Sequence, residues 1–265
     1  MKISRGAAIA LNVYAFVLAV FLTWPVLQVI LTSVTSDVVF PPTHFSFQSF
    51  REILWPGYLK SLWFSLELAV VVSVLLIAVC LPAAYAMQRR RFPGRALLSV
   101  IIFIPIIFPT VTYSSAIRVY IFSTVPEWRG TFGLVAAVTA MWGIPLVMRS
   151  IQGSLANADV VFEEAAQVMG ASPLRAFYKV TLPLIAPGLL TAGMIGFTSA
   201  ATAFTVPYIL GSTNPTVSMY IFQDVGRLGF PPWIAVEVLV MEIVVLGIVQ
   251  VFYRVFGRQF RGIFA

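Results

Sequence analysis

An all-helical membrane protein with six spans is the fold class this sequence predicts, on three observations. Hydrophobic residues make up 60% of the 265 positions and charged residues only 10%, against about a quarter charged in an ordinary soluble domain. The apolar residues gather into runs long enough to cross about 30 Å of hydrocarbon at about 1.5 Å per residue. Period-two alternation is absent, so a membrane β-barrel fits poorly. Long apolar runs with few charges suit a bilayer, where an unsatisfied polar group costs several kcal/mol.

In chain order the spans fall at 9–31, 62–86, 97–119, 132–150, 183–209 and 233–254, and residues 1–265 read as one transmembrane domain. The first span resembles a signal peptide in having Lys2 and Arg5 ahead of it. No clean small-residue cleavage site follows, and the apolar run resumes after Thr23, Trp24 and Pro25, so the span is expected to stay uncleaved. The loops then set orientation through lysine and arginine. Lys2 and Arg5 precede span 1; Arg89, Arg90, Arg91 and Arg95 fill the 2–3 loop; Arg149, Arg175 and Lys179 flank or occupy the 4–5 loop; Arg254, Arg258 and Arg261 close the chain. The opposite side holds Arg51, Lys60, Arg129 and Arg227. Both termini and the 4–5 loop are therefore expected in the cytoplasm. The net charge of +7 is a topology signal, and no nucleic-acid partner is expected.

Segments 32–61, 123–131 and 210–232 are the outer connections, marked as turns by Pro41–Pro42, GSTNP and GFPPW. Trp24, Trp55, Trp63, Trp128 and Trp233 fall near the outer interface, where tryptophan is enriched. Cys80 is the single cysteine and His44 the single histidine, so neither an internal disulfide nor a histidine-based metal or catalytic cluster is expected. No GxxxxGK[ST] loop is present for nucleotide phosphates.

One block departs from this pattern: EEAAQVMGASPLRAFYKVTLPLIAP, residues 163–187. Asp159 is placed to cap a helix, with Glu163 and Glu164 in its early turns, where the helix dipole favours acids. Phe162, Ala165, Ala166 and Met169 recur at i, i+3, i+4 and i+7, while Asp159, Glu163 and Gln167 lie on the other side. This is a short amphipathic helix over about 160–170. Gly170 ends it, and Ser172 caps a second helix with Pro173 at its first position. Periodicity leaves two uses open: docking to a protein partner, or lying on the lipid surface.

The same residues resemble the cytoplasmic signature of binding-protein-dependent ABC importer permeases of the MetI-like type. That signature pairs Glu-Ala-Ala and a following glycine with a hydrophobic residue and Leu-Pro further on. Glu164, Ala165, Ala166 and Gly170 match its first part, and Val180, Leu182 and Pro183 its second. The resemblance implies a coupling helix whose Phe162, Ala165, Ala166 and Met169 fill a groove on an ATPase, with Glu164 at the rim and Gly170 reversing the chain. It further implies an ABC ATPase dimer carrying ATP and magnesium, a second permease subunit, identical or paralogous, and a periplasmic or lipid-anchored solute-binding protein. The setting is a bacterial inner membrane, and no cofactor or catalytic residue is expected in this chain.

The solute path is sought in span 5, where Gly193, Gly196 and Ala200 allow either close helix packing or a path, and Thr198, Ser199, Thr202 and Thr205 add hydroxyls. Pro207 is expected to interrupt this span near its outer end. Glu67, Glu237 and Glu242 are acids within or near spans, and such residues face an interior, a partner or water. Arg118 is a candidate partner for one of them. The acids lean toward a cationic solute. FTVPYILG and the segment with Ile221, Phe222 and Val225 resemble the polyamine-type permease subset, which takes in spermidine or putrescine, ferric iron, thiamine, opines and aminophosphonates. Sugar and amino-acid permeases share the coupling signature. An ion-coupled secondary carrier would show repeat symmetry and paired broken helices, and a membrane enzyme would need a catalytic cluster; neither is read here.

Overall fold

A computed structural model describes residues 5–36 and 44–261. Lys2 and the Pro41–Pro42 turn lie outside the described residues, as do the side chains of Arg5, Arg258 and Arg261. Eleven α-helices follow in order: α1 Arg5–Ser33, α2 Pro56–Arg89, α3 Arg95–Ile107, α4 Thr110–Thr124, α5 Phe132–Asn157, α6 Val160–Val168, α7 Pro173–Ala176, α8 Leu182–Ala201, α9 Thr205–Leu210, α10 Val217–Leu228 and α11 Pro232–Arg261, all among the described residues. Among the described residues, five helical stretches are long and apolar enough to cross a membrane: Leu11–Ser33, Pro56–Arg89, Phe132–Asn157, Pro173–Ala201 and Pro232–Val255. The pair α3 and α4, bent by 95° at its break, passes the same test of length and composition only when the two are taken together.

That bend replaces the straight span expected over 97–119. Phe108 is extended (φ −82°, ψ 135°) and Pro109 precedes α4 with ψ 132°. Proline disfavours helical backbone in the residue before it and brings no N–H of its own. The apolar run continues through the bend, so hydropathy alone draws one span where the backbone makes two.

The chain divides into two compact units, Met1–Leu59 with Ile221–Ile243, and Lys60–Tyr220 with Val244–Ala265. In the first, no side chain of α1 over 11–32 is buried, although the run is apolar throughout, as a helix facing lipid or a partner should be. An antiparallel bridge between Thr35 and Phe45 follows it. The Tyr58 hydroxyl donates to the Glu237 carbonyl at 2.8 Å, and Ile234, Ala235 and Val236 are fully buried beside it in sequence.

In the second unit α5 is the central element. Thr131 caps it, its hydroxyl accepting from the Leu134 amide at 3.4 Å, and Val135, Val147, Ile151 and Leu155 are fully buried. It packs on α8, α3 and α9. Close approach to α8 depends on Gly188, where a Cβ would sit 1.5 Å from the Ser154 hydroxyl. The Ser150 hydroxyl donates to the Gly188 carbonyl at 3.3 Å across the same contact.

Candidate functional site

The polar block folds as two short helices joined by a tight reversal. Asp159 is extended, and its Oδ1 accepts from the Val161 amide at 3.0 Å, starting α6. At the far end the Gly170 amide donates to Gln167 at 2.9 Å and the Ala171 amide to Ala166 at 3.0 Å. Gly170 has φ +93°. This is a Schellman ending, whose turn residue must be left-handed, the conformation glycine adopts without a Cβ penalty. A Cβ on Gly170 would meet nothing within 4 Å. The requirement here is thus backbone conformation and not space within this chain. Ser172 then caps α7, accepting from the Arg175 amide at 3.4 Å, with Pro173 leading.

Between α7 and α8 the chain makes one π-helical turn, Phe177–Thr181, closed by the Leu182 amide on the Phe177 carbonyl. Leu182 and Pro183 begin α8 half-buried. Proline falls among the first residues, whose N–H groups have no helical acceptor anyway.

The faces of α6 differ from the sequence expectation at two points. Phe162, Glu164, Ala165 and Met169 are exposed and Ala166 is half-buried, but Val168, which the periodicity left out, is the most exposed of the large apolar side chains at 88%, with Met169 at 82%. Glu163, expected on the water-facing side with Asp159 and Gln167, is instead buried at 5% exposure. Its carboxylate accepts from the Tyr85 hydroxyl and from the Thr181 hydroxyl at 2.7 Å. Arg89 Nε stands 3.9 Å away, and an Arg89 terminal nitrogen donates to the Ala158 carbonyl at 2.8 Å. A buried carboxylate needs donors and a counter-charge to offset its desolvation, and all three come from outside α6. The sequence signal was the Tyr85, Arg89 spacing of four, which puts both on one face of α2.

Span 5 breaks at residues 202–204, between α8 and α9, not at Pro207. Pro207 lies within the first turn of α9 and is buried. There its missing N–H removes no helical bond. The freed carbonyls of Thr202 and Ala203 accept from the hydroxyls of Ser218 at 3.1 Å and Thr216 at 2.9 Å. Thr202 is exposed, and Thr198, Ser199 and Thr205 are half-buried. Thr198 and Ser199 donate within α8 to Met194 and Gly196, and Thr202, just past its end, donates back to Thr198. On α11, Glu237 is buried at 2% exposure while Glu242 is exposed; both belong to the other compact unit. Arg118 lies over the Phe122 ring at 5.2 Å.

Gly196 is a packing residue on this geometry: a Cβ there would lie 3.2 Å from Ser73 Cα and 3.1 Å from Leu76 Cδ1 of α2. Gly196→Leu should destabilise the protein by about 1–3 kcal/mol through overpacking, read as a lower unfolding temperature in detergent. An unchanged temperature would show that α2 and α8 have room to spread. Beside this contact, Ser73, Ile77, Gly193, Met194 and Phe252 help line an apolar cleft of about 210 Å³. Among the described residues no group of three or more His, Cys, Asp and Glu is placed to hold a metal ion.

Comparison with known proteins gives concordant results. Residues 76–262 match the family described as binding-protein-dependent transport system inner membrane component. The chain is 33% identical over 177 residues to the molybdenum transport system permease protein ModB of Haemophilus influenzae, covering 60% of this chain and 77% of that one. It is 28% identical over 199 residues to the sulfate transport system permease protein CysT of Salmonella typhimurium, covering 68% and 70%. Its fold is similar to that of a chain in the inward-facing MetNI methionine ABC transporter, with a TM-score of 0.58, 20% identity and coverage of 78% and 95%.

Proposed function

Since the chain belongs to the family of binding-protein-dependent transport system inner membrane components, we propose that α6 is the point at which an ATPase subunit drives it. The protein is a multi-pass inner-membrane protein with a MetI-like fold, a permease subunit of an ABC importer that moves a solute delivered by a binding protein. It is a transport permease and not itself an enzyme. Family membership implies an ATPase, a second permease subunit and a binding protein as partners. ATP and magnesium belong on the ATPase in this reading, and both termini and α6 lie in the cytoplasm, as the lysine and arginine distribution argues.

The observation that carries the coupling reading is the exposure of Val168 and Met169 at 88% and 82% on a helix held at its base. Two large apolar side chains so exposed on a fixed helix form a contact surface awaiting a partner. Phe162, Ala165 and Ala166 extend it and Glu164 borders it. ATP binding would close the ATPase pair, and each docked α6 would carry its permease subunit between two states that nucleotide and solute bias differently. Leu182 and Pro183, where α8 starts, would receive that motion.

The test is a single cysteine at Val168, with bifunctional thiol crosslinking in native membranes and mass spectrometry of the product. The native Cys80 is buried, so the added thiol dominates. An ATPase subunit in the product is the expected outcome; a lipid-only environment would return α6 to a membrane-surface role.

For the cargo, the names of two of the relatives, the molybdenum and sulfate permeases, favour an oxyanion such as molybdate or sulfate. A cationic solute of polyamine type is the second reading, favoured by Glu237, an acid buried within a span. Thr198, Ser199, Thr202, Thr205 and the acids Glu237 and Glu242 are the proposed path candidates. Stimulation of ATP hydrolysis in the reconstituted transporter by molybdate or sulfate, and not by putrescine, is expected; the reverse pattern would restore the cationic reading.

A further inference from the structure

We propose that Glu163 is a positioning residue that fastens α6 to the transmembrane helices, so that a push on α6 reaches α2 and α8 without loss. The proposal rests on the coupling role of α6 given above. Two consecutive glutamates divide the work: Glu164 faces out, while Glu163 turns inward and is 5% exposed. On that one carboxylate converge Tyr85 and Arg89 from the end of α2 and Thr181 from the π-helical turn that leads into α8. Arg89 also holds the Ala158 carbonyl, which closes α5. Four segments are therefore tied together through this carboxylate and Arg89.

Hydrogen bonds to an ionised acceptor are shorter and about twice as strong as neutral ones. A buried charge also makes partial opening costly, because each lost donor leaves the carboxylate less compensated in a low-dielectric site. Two hydroxyls donate to the carboxylate directly, while Arg89 Nε, 3.9 Å away and without a hydrogen bond of its own, supplies charge. An apolar base of the same volume would let α6 slide, since dispersion contacts are non-directional. The charged base gives direction, and a lever arm needs direction.

The experiment uses the complete transporter in proteoliposomes, with nitroxide labels at Gln167, exposed on α6, and Arg90, whose amide bonds to Ala86 at the end of α2. In the parent protein the distance between labels should be single and narrow, with and without MgATP and vanadate. In Glu163→Ala and Tyr85→Phe it should spread into a broad distribution, and stimulation of ATP hydrolysis by the binding protein should fall. A purely fold-stabilising role would lower the yield of complex but leave the distance in the assembled fraction narrow. If Glu163→Ala fails to assemble, Tyr85→Phe, which removes one hydroxyl, decides. A narrow distance in assembled Tyr85→Phe complexes, or stimulation intact in complexes whose distance has broadened, overturns the proposal. Crosslinking of Val168 to the ATPase in the parent protein separates the two levels. Its absence removes the coupling reading itself, whereas its presence beside an unbroadened distance removes only the role of Glu163.

Discussion

Gly170→Val is expected to abolish binding-protein-stimulated ATP hydrolysis and to cut solute uptake by more than about tenfold, while membrane insertion stays normal. The cause is conformational. Gly170 ends α6 at φ +93°, and a β-branched residue there is a true outlier, costing on the order of 1–3 kcal/mol or more. Relief of that strain would unwind the Schellman turn and release α6 from α7. Because a Cβ meets nothing within 4 Å, the effect should be graded by tolerance of left-handed backbone. Gly170→Asn should be mildest, Gly170→Ala intermediate and Gly170→Val most severe. Measured ATPase stimulation in that order supports the conformational cause. Equal loss in all three would point to a partner surface pressed against the Gly170 backbone, and normal stimulation in all three would dismiss the turn from coupling.

Charging the exposed tip of α6 should have the second large effect. In Val168→Asp/Met169→Asp, two side chains that are 88% and 82% exposed would place charges at the proposed ATPase contact. Burial of one large apolar side chain is worth roughly 1.5–3 kcal/mol, so losing two should weaken ATPase association by at least about 100-fold. The amount of ATPase recovered per permease in a gentle detergent pull-down reads this directly. The folded chain should be unharmed, since neither residue is buried within it. Undiminished recovery would show that the ATPase grips another surface.

Local chemistry around α6 was legible in the sequence. A cap at Asp159, a glycine stop at Gly170 and a Ser172–Pro173 restart each act within a few residues. What periodicity missed is long-range. It sorts residues by polarity, so it sent Glu163 to water, whereas donors on another helix hold it inside. Val168 was missed for a related reason: the i, i+3, i+4, i+7 stripe describes what a helix buries, and this helix presents its apolar surface outward at its end. In the spans, hydropathy marked apolar length but not direction. Pro109 stands in the sequence, yet the 95° bend between α3 and α4 depends on Phe108 adopting extended backbone. Pro207 drew attention as a helix breaker, although a proline in a first turn breaks nothing; the actual gap at 202–204 is held by Thr216 and Ser218.

The Glu163 cluster also fixes an order of events during synthesis. Tyr85 leaves the ribosome 78 residues ahead of the carboxylate it will bond, and Thr181 follows 18 residues after it. Through that interval Arg89, at the end of α2, lacks the carboxylate it faces in the finished fold. Only when Glu163 and Thr181 have emerged can the charge be drawn into a closed site. A chain arrested before residue 181 would therefore have its early helices without the full set of groups that meet at this carboxylate.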